Sequence, residues 1–426
     1  MYRREARRAL ALSAMLGATA ALASTAHAEV VEASSTTLVS GRQDPRDGVV
    51  HTAVPVYELM SVRATDFHVP GVGDMNVVLS GWGAAALADP IEGKHVLGDL
   101  DLAFAEGTLL RRRIAIRLGR QLLVSGAGRN LGFDGLSVTV RPIRWVGVSA
   151  QAGVPVTPRF ATSRGDALVA GRAFVKPSFD AEAGVSILQL LDHGEIARRD
   201  LAFDARLVPA HAVPLVLTGF ALFSLPEERL GEGQAAATWQ LDRRFQVTAD
   251  YRRTAPDLFL PRNSIFAVFS QEHHDEAGGF LYLRPHARLR LQGDYHVIID
   301  ADGTGHDGSG KLTGTFGPDQ RDTAGLESRR LALPGSGYLM ARAFTVVRVE
   351  PRVTGTLDAS AFFFDADVNG QRRSYVAAAT LAYDLRPGWR AVVTGLTSVT
   401  PFAERNFEGM AKLVYQMTTH VRQVTP

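Results

Sequence analysis

Phe245-Gln246-Val247-Thr248-Ala249-Asp250-Tyr251-Arg252 decides the reading of this chain. Phe245, Val247, Ala249 and Tyr251 alternate with Gln246, Thr248, Asp250 and Arg252. Successive side chains of a strand point to opposite faces, so the octet is a strand with one apolar and one polar face.

The same period recurs along the sequence. Ile114, Ile116 and Leu118 oppose Arg113, Arg117 and Gln121; Leu201, Phe203, Ala205 and Leu207 oppose Asp204 and Arg206. Leu289, Leu291, Tyr295 and Val297 oppose Arg288, Arg290, Gln292, Asp294 and His296. Val353, Leu357 and Ala359 oppose Thr354, Thr356, Asp358 and Ser360, and Phe407, Ala411, Leu413 and Tyr415 oppose Glu408 and Lys412. In 99–106 the apolar set is Leu100, Leu102 and Phe104, against Asp99, Asp101 and Ala103.

Connections of two kinds alternate between these segments. Short ones fall at 141–145, 177–180, 242–244, 285–287, 349–352 and 386–388. Longer ones fall near 121–132, 155–167, 191–199, 224–231, 254–276, 299–310, 364–373 and 399–405. Segments of about ten alternating residues, with tight turns on one side and long loops on the other, are the signature of a transmembrane β-barrel of the outer-membrane type. A soluble sandwich also alternates, but it would have to bury about twenty strands between two sheets. A spanning sheet must close on itself because hydrocarbon offers no partner to an unpaired edge. The expected fold is all-β, a single closed antiparallel barrel of 22 strands, with 20 and 18 left open. Weak segments at 34–41, 57–66, 310–317 and 323–333 decide the count. Trp145, Phe174, Tyr251, Tyr383, Trp389 and Tyr415, near strand ends, suit interfacial girdles.

Composition narrows function. The chain has 426 residues, 46% hydrophobic and 21% charged, which excludes general disorder. It has no Cys, so disulfides, thiolate zinc sites and a cysteine nucleophile are excluded. A net charge of +2 gives no argument for a nucleic-acid partner. Residues 1–28 read as a secretory signal: Arg3, Arg4, Arg7 and Arg8, an apolar run from Ala9, then Ala26-His27-Ala28 as a cleavage site. Cleavage removes four Arg and one Glu and brings the charge from +2 to −1. Residues 29–426 then form one barrel domain, in which 29–52 is an N-terminal segment that can supply the first strand.

Arg117-Leu118-Gly119-Arg120-Gln121, a loop, and Gly132-Phe133-Asp134-Gly135 resemble a motif pair of porins and related export channels. Thr254-Ala255-Pro256-Asp257-Leu258-Phe259-Leu260-Pro261-Arg262-Asn263-Ser264 resembles a segment of uncharacterised members of that class. The resemblance implies a porin-like outer-membrane β-barrel of Gram-negative bacteria. It implies membrane lipid as a partner and the barrel assembly machinery during biogenesis. Such barrels usually end on an aromatic residue, whereas Tyr415 is followed by eleven more residues.

The polar face supplies the candidate pore lining: Arg113, Arg117, Asp204, Arg206, Asp250, Arg252, Arg288, Arg290 and Asp294. Rings of such charges set selectivity, unless they are paired into bridges that only support the wall. Arg113, Arg117, Arg288 and Arg290, if unneutralised, would give a weak anion preference that fades as salt rises. Asp365, Asp367 and Asn369 match the start of a calcium loop, but the twelfth position is Val376 where a bidentate Glu is needed. The competing reading is a hairpin with an Asn-Gly turn. Glu272-His273-His274-Asp275-Glu276 carries metal-type ligands on a segment read as a solvated loop, and Arg164-Gly165-Asp166 is a chance tripeptide. No G-x-S-x-G and no H-E-x-x-H occurs. The expected function is a passive channel for small polar solutes or ions, with no enzymatic activity, no cofactor and no nucleic-acid partner. The alternatives are a structural, adhesive or assembly barrel plugged by its loops and, behind it, a hydrolase at the barrel rim.

Overall fold

The computed structural model describes residues 30–46, 49–69, 73–88, 95–111, 113–156, 166–178, 180–209, 214–255, 273–317 and 320–420. The expected signal segment 1–28 lies outside them, as does most of the 254–264 stretch. The strands are β1 (Val30–Arg46), β2 (Val49–Ala53), β3 (Pro55–Val69), β4 (Gly73–Ala86), β5 (Val96–Leu109), β6 (Ile114–Leu122), β7 (Gly132–Ile143) and β8 (Val146–Val156). They continue with β9 (Ala167–Ser178), β10 (Ala181–Asp192), β11 (Glu195–Leu207), β12 (Leu215–Ser224), β13 (Arg229–Gln240), β14 (Phe245–Thr254), β15 (His274–His286) and β16 (Leu289–Asp300). The last are β17 (Gly303–Phe316), β18 (Asp322–Leu333), β19 (Ser336–Glu350), β20 (Val353–Val368), β21 (Gln371–Arg386), β22 (Trp389–Thr400) and β23 (Ala403–His420).

Each strand pairs antiparallel with the next along the chain, except that β2 and β3 both pair with β1 and not with each other; β1 also pairs with β23 from Val30↔His420 to Arg42↔Glu408, so the sheet has no free edge. Strands β2 and β3 are one wall strand interrupted at Val54, next to Pro55, whose ring nitrogen cannot donate to a ladder. The wall therefore has 22 strands, the expected number.

Neighbouring register rows show what each face is made of. Phe245, Leu283, Leu291, Leu312 and Leu326 lie opposite one another across β14–β18. One residue away, Gln246, Tyr282, Gln292, Lys311, Glu327 and Arg342 form the next row across β14–β19. The first row faces outward with other exposed apolar side chains, such as Leu118 at 62% and Val393 at 59% exposure. Lipid can cover that surface, and water in the lumen can solvate the second. Trp239 against Phe245 and Trp389 against Tyr415 mark the girdle nearer the chain ends. Tyr295 stacked on His306 belongs to the other girdle. Tyr375 and Tyr383 bracket the band eight residues apart on β21, about 21 Å of height at ~3.4 Å per residue and a tilt of ~40°. On the outer face Glu58 departs from this pattern; its carboxylate accepts from the hydroxyls of Ser35 and Thr37.

Three expectations change. A bulge opposite Ser80 and Gly81 inverts the parity of β5, so Phe104 lies on the inner face beside Arg117, with the guanidinium 4.5 Å from the ring. Phe174 is buried on the inner face between Arg172 and Arg141 rather than set in a girdle, and Gly147 opposite leaves room for its ring. Several expected loops are tight turns, because β16–β23 continue almost to the tips. The stretch 299–310 is mostly β17, and β17 and β18 form a full hairpin. Its glycines imitate a loop in sequence, but Gly305 and Gly308 lie beside Leu333 and the Tyr295 ring, which take up the room of a side chain. Asn369 and Gly370, with φ of 48° and 78°, form the two-residue turn of the β20–β21 hairpin.

Candidate pore constriction

The segment 123–131 between β6 and β7 folds into the barrel, and the strands beneath it explain how. Arg120 and Asp134, opposite one another, form two parallel hydrogen bonds of 2.8 and 2.9 Å. Arg120 also donates to Asp99 at 3.1 Å and to the Leu100 carbonyl at 2.9 Å. One residue further, Gln121 is buried; its amide donates to the Gly135 carbonyl at 3.0 Å and its oxygen accepts from Ser137 at 2.7 Å. Gly119 at φ 119° takes a conformation that L side chains rarely adopt, and a Cβ there would strike the Ala103 carbonyl. These residues are the two motifs read from the sequence.

Above this clamp the neck closes through Leu123 N to Leu131 O at 2.9 Å and Asn130 N to Leu123 O at 2.8 Å. The tip is a single 3₁₀ turn, Gly126–Gly128. Ala127 N donates to Ser186 Oγ at 2.8 Å. Arg129 forms an ion pair with Glu232 and lies 3.6 Å from the centre of the Phe220 ring. Glu232 is on β13, six strands beyond β7, about 29 Å along the wall at ~4.8 Å per strand. Arg129 is only three residues from Gly132, so the contact is made across the interior. Leu123 and Ala127 join Phe133, Leu168, Ala170, Leu188, Ala202, Phe220 and Leu222 in the main buried apolar cluster. A fully buried Leu or Phe contributes about 1.5–3 kcal/mol, enough to hold a nine-residue segment against the wall.

Charged pairs surround the cluster. Arg172 is buried and donates to Asp204 at 3.0 Å and to Glu182 at 2.8 Å; Arg198 pairs with the buried Asp200. His296 Nε2 lies 3.0 Å from Asp250, and its Nδ1 lies 3.9 Å from Glu276. A bridged ladder crosses β17–β20: Lys311 to Glu327 at 3.6 Å, Arg342 to Glu327 at 3.3 Å, and Arg342 to Asp358 at 3.0 Å. A cavity of about 500 Å³ lies under the inward segment, lined by Ser125, Arg129, Asp204, Gln234, Asp250 and Arg252 among others.

The nine candidate lining residues divide. Asp204, Asp250 and Arg252 line this cavity. Arg206 lies one pleat from Asp204 on the same face of β11, and Asp294 accepts a hydrogen bond from Ser309 on the inner face. Arg117 is on the inner face but paired with Glu106. Arg290 shares the face of Gln292 and Asp294. Arg113 and Arg288 lie in turns at the end that carries the chain termini. Of the four arginines on which an anion preference was expected, one is neutralised and two stand outside the wall. Arg129, Arg172, Glu232 and Ser186 were missed. Their only signal was a run of small residues, Gly126-Ala127-Gly128, between the two motifs.

Other constellations have plain structural partners. Asp365 gives both oxygens to Arg330 at 2.7 Å, so this calcium-loop candidate is already engaged. Asp275 accepts from Tyr251 at 2.6 Å and from Arg253, and His274–Glu276 belong to β15, not to a loop. Glu272, Arg164 and Gly165 lie outside the described residues. Among the described residues no three His, Asp or Glu are arranged to hold a metal ion.

No protein-family model matches the chain, and no curated protein matches its sequence. Solved structures do match. The P pilus usher translocation pore PapC is 10% identical with a TM-score of 0.50 over 92% of this chain and 100% of that one. The outer membrane protein OpdK of Pseudomonas aeruginosa is 11% identical, TM-score 0.46, over 92% and 98%. OccAB4 of Acinetobacter baumannii is 8% identical, TM-score 0.43, over the same shares. The fold is that of a porin-like outer-membrane β-barrel.

Proposed function

We propose that the chain is an outer-membrane channel through which small polar solutes diffuse, with segment 123–131 as its constriction. The observation that carries this reading is a closed 22-strand wall, apolar outside and charged inside, with segment 123–131 reaching across the lumen to β10 and β13. A barrel filled by its own side chains needs only about eight strands, so a wall of this size encloses water unless something plugs it. Segment 123–131 leans on β9–β13 and makes no ion pair with the bridged ladder of β17–β20. Export through the signal at 1–28 and insertion by the assembly machinery complete the reading.

Conductance across planar bilayers tests it. The full chain is expected to open stable steps in salt. Correctly folded protein without any pore would contradict the channel and favour a barrel with a structural, adhesive or assembly role.

A further inference from the structure

The cavity under segment 123–131 is lined by charges of both signs, and they differ in how far they are already engaged. Arg129 is held by Glu232 and Phe220. Asp204 is held by Arg172 through both oxygens. Arg252 is exposed in the lumen, and its guanidinium makes no hydrogen bond or ion pair among the described residues. Asp250, which also lines the cavity, uses Oδ1 for His296, and its Oδ2 has no hydrogen-bond partner among the described residues.

Arg252 and Asp250 are two residues apart on one strand, on the same face, so their Cα atoms are about 7 Å apart. Gln234 lies directly opposite Arg252 on β13, and Phe220 and Val124 are among the apolar members of the lining. We propose that this cavity binds a small dipolar solute carrying both a carboxylate and an ammonium group, of the size of an amino acid. The carboxylate meets Arg252, whose planar fork matches it with two parallel hydrogen bonds. The ammonium meets Asp250, and an apolar substituent lies toward Phe220.

The charge pattern disfavours simpler solutes. Asp204 and Arg129 are already paired, so Asp250 and Arg252 decide. A plain anion on Arg252 would meet the Asp250 carboxylate, and a plain cation on Asp250 would meet the Arg252 guanidinium, with one of the two left without a partner in either case. The volume of about 500 Å³ lies within the range of small-molecule sites and excludes nothing of amino-acid size. The inference rests on the channel reading only in that the cavity must be reachable through the lumen.

Calorimetry on the full purified chain tests it, with leucine as probe. The controls share its skeleton: 4-methylpentanoate lacks the ammonium and 3-methylbutylamine lacks the carboxylate. Leucine is expected to bind at least tenfold more tightly than either. Arg252→Gln and Asp250→Asn should each bring leucine down to the level of the controls. Arg252→Lys, which keeps the charge, should retain more binding than Arg252→Gln and so guards against a folding effect. Equal binding of the three compounds, leucine binding unchanged in Arg252→Gln, or no saturable leucine binding would overturn the proposal. Conductance in salt alone reports separately on the channel. A conducting barrel that ignores leucine contradicts only the dipolar site, and a leucine-binding barrel without conductance contradicts only the channel.

Discussion

Ser186 and Arg129 hold the inward segment by different physics. The Ala127 N–H is buried and has Ser186 Oγ as its partner. Ser186→Ala leaves that donor unsatisfied, a cost of about 1–3 kcal/mol. Arg129 combines an ion pair with a contact on the Phe220 ring, so Arg129→Gln loses both. Both substitutions should loosen the segment while the wall stays intact. The expected result is faster proteolytic cleavage within 123–131 with unchanged thermal stability of the barrel. Cleavage at the wild-type rate would show that these contacts do not anchor it. Gly119→Ala tests the clamp below. Its φ of 119° and the close Ala103 carbonyl should make it destabilising, whereas Gly395→Ala, with open space around the added carbon, should be nearly neutral. Urea unfolding of the two variants compares them directly.

At the scale of the strand, alternation made the faces legible wherever the ladder is regular. Leu291 and Val247 point outward and Arg290 inward, as their parity in the sequence implies. Leu291→Arg or Val247→Arg should therefore impair insertion, because a cation on the lipid face is costly in such barrels, from about 1 kcal/mol near the girdle, where these two lie, to about 2–4 kcal/mol at the midplane. Arg290→Leu should leave insertion largely intact. Folding yield into vesicles measures this, and equal damage from all three would mean that the faces are reversed. Parity misled in β5, where one extra residue opposite Ser80 and Gly81 moves Phe104 from the outer face to the inner. A bulge has no compositional mark of its own, so local pattern alone could not show it. Glycines in β17 misled in the other direction. They are read as loop residues unless the large neighbours that fill their places, Tyr295 and Leu333, are known.

Closure of the whole molecule was legible because the physics allows few alternatives. A sheet with one apolar face and no helix to cover it must close in lipid. The path of segment 123–131 was not legible. Its partners Ser186, Phe220 and Glu232 lie 59 to 103 residues away, and nothing in the loop itself points to them. For the same reason sequence could place Asp204, Asp250 and Arg252 on a polar face but could not bring them to one cavity. The central claim is that this segment narrows an otherwise water-filled lumen. Single-channel conductance in planar bilayers tests it most directly, with wild type compared with a variant in which residues 124–130 are replaced by a short Asn-Gly turn. The account predicts a conducting wild type and a larger unitary conductance in the shortened variant. A silent wild type, or the same conductance in both proteins, would contradict it.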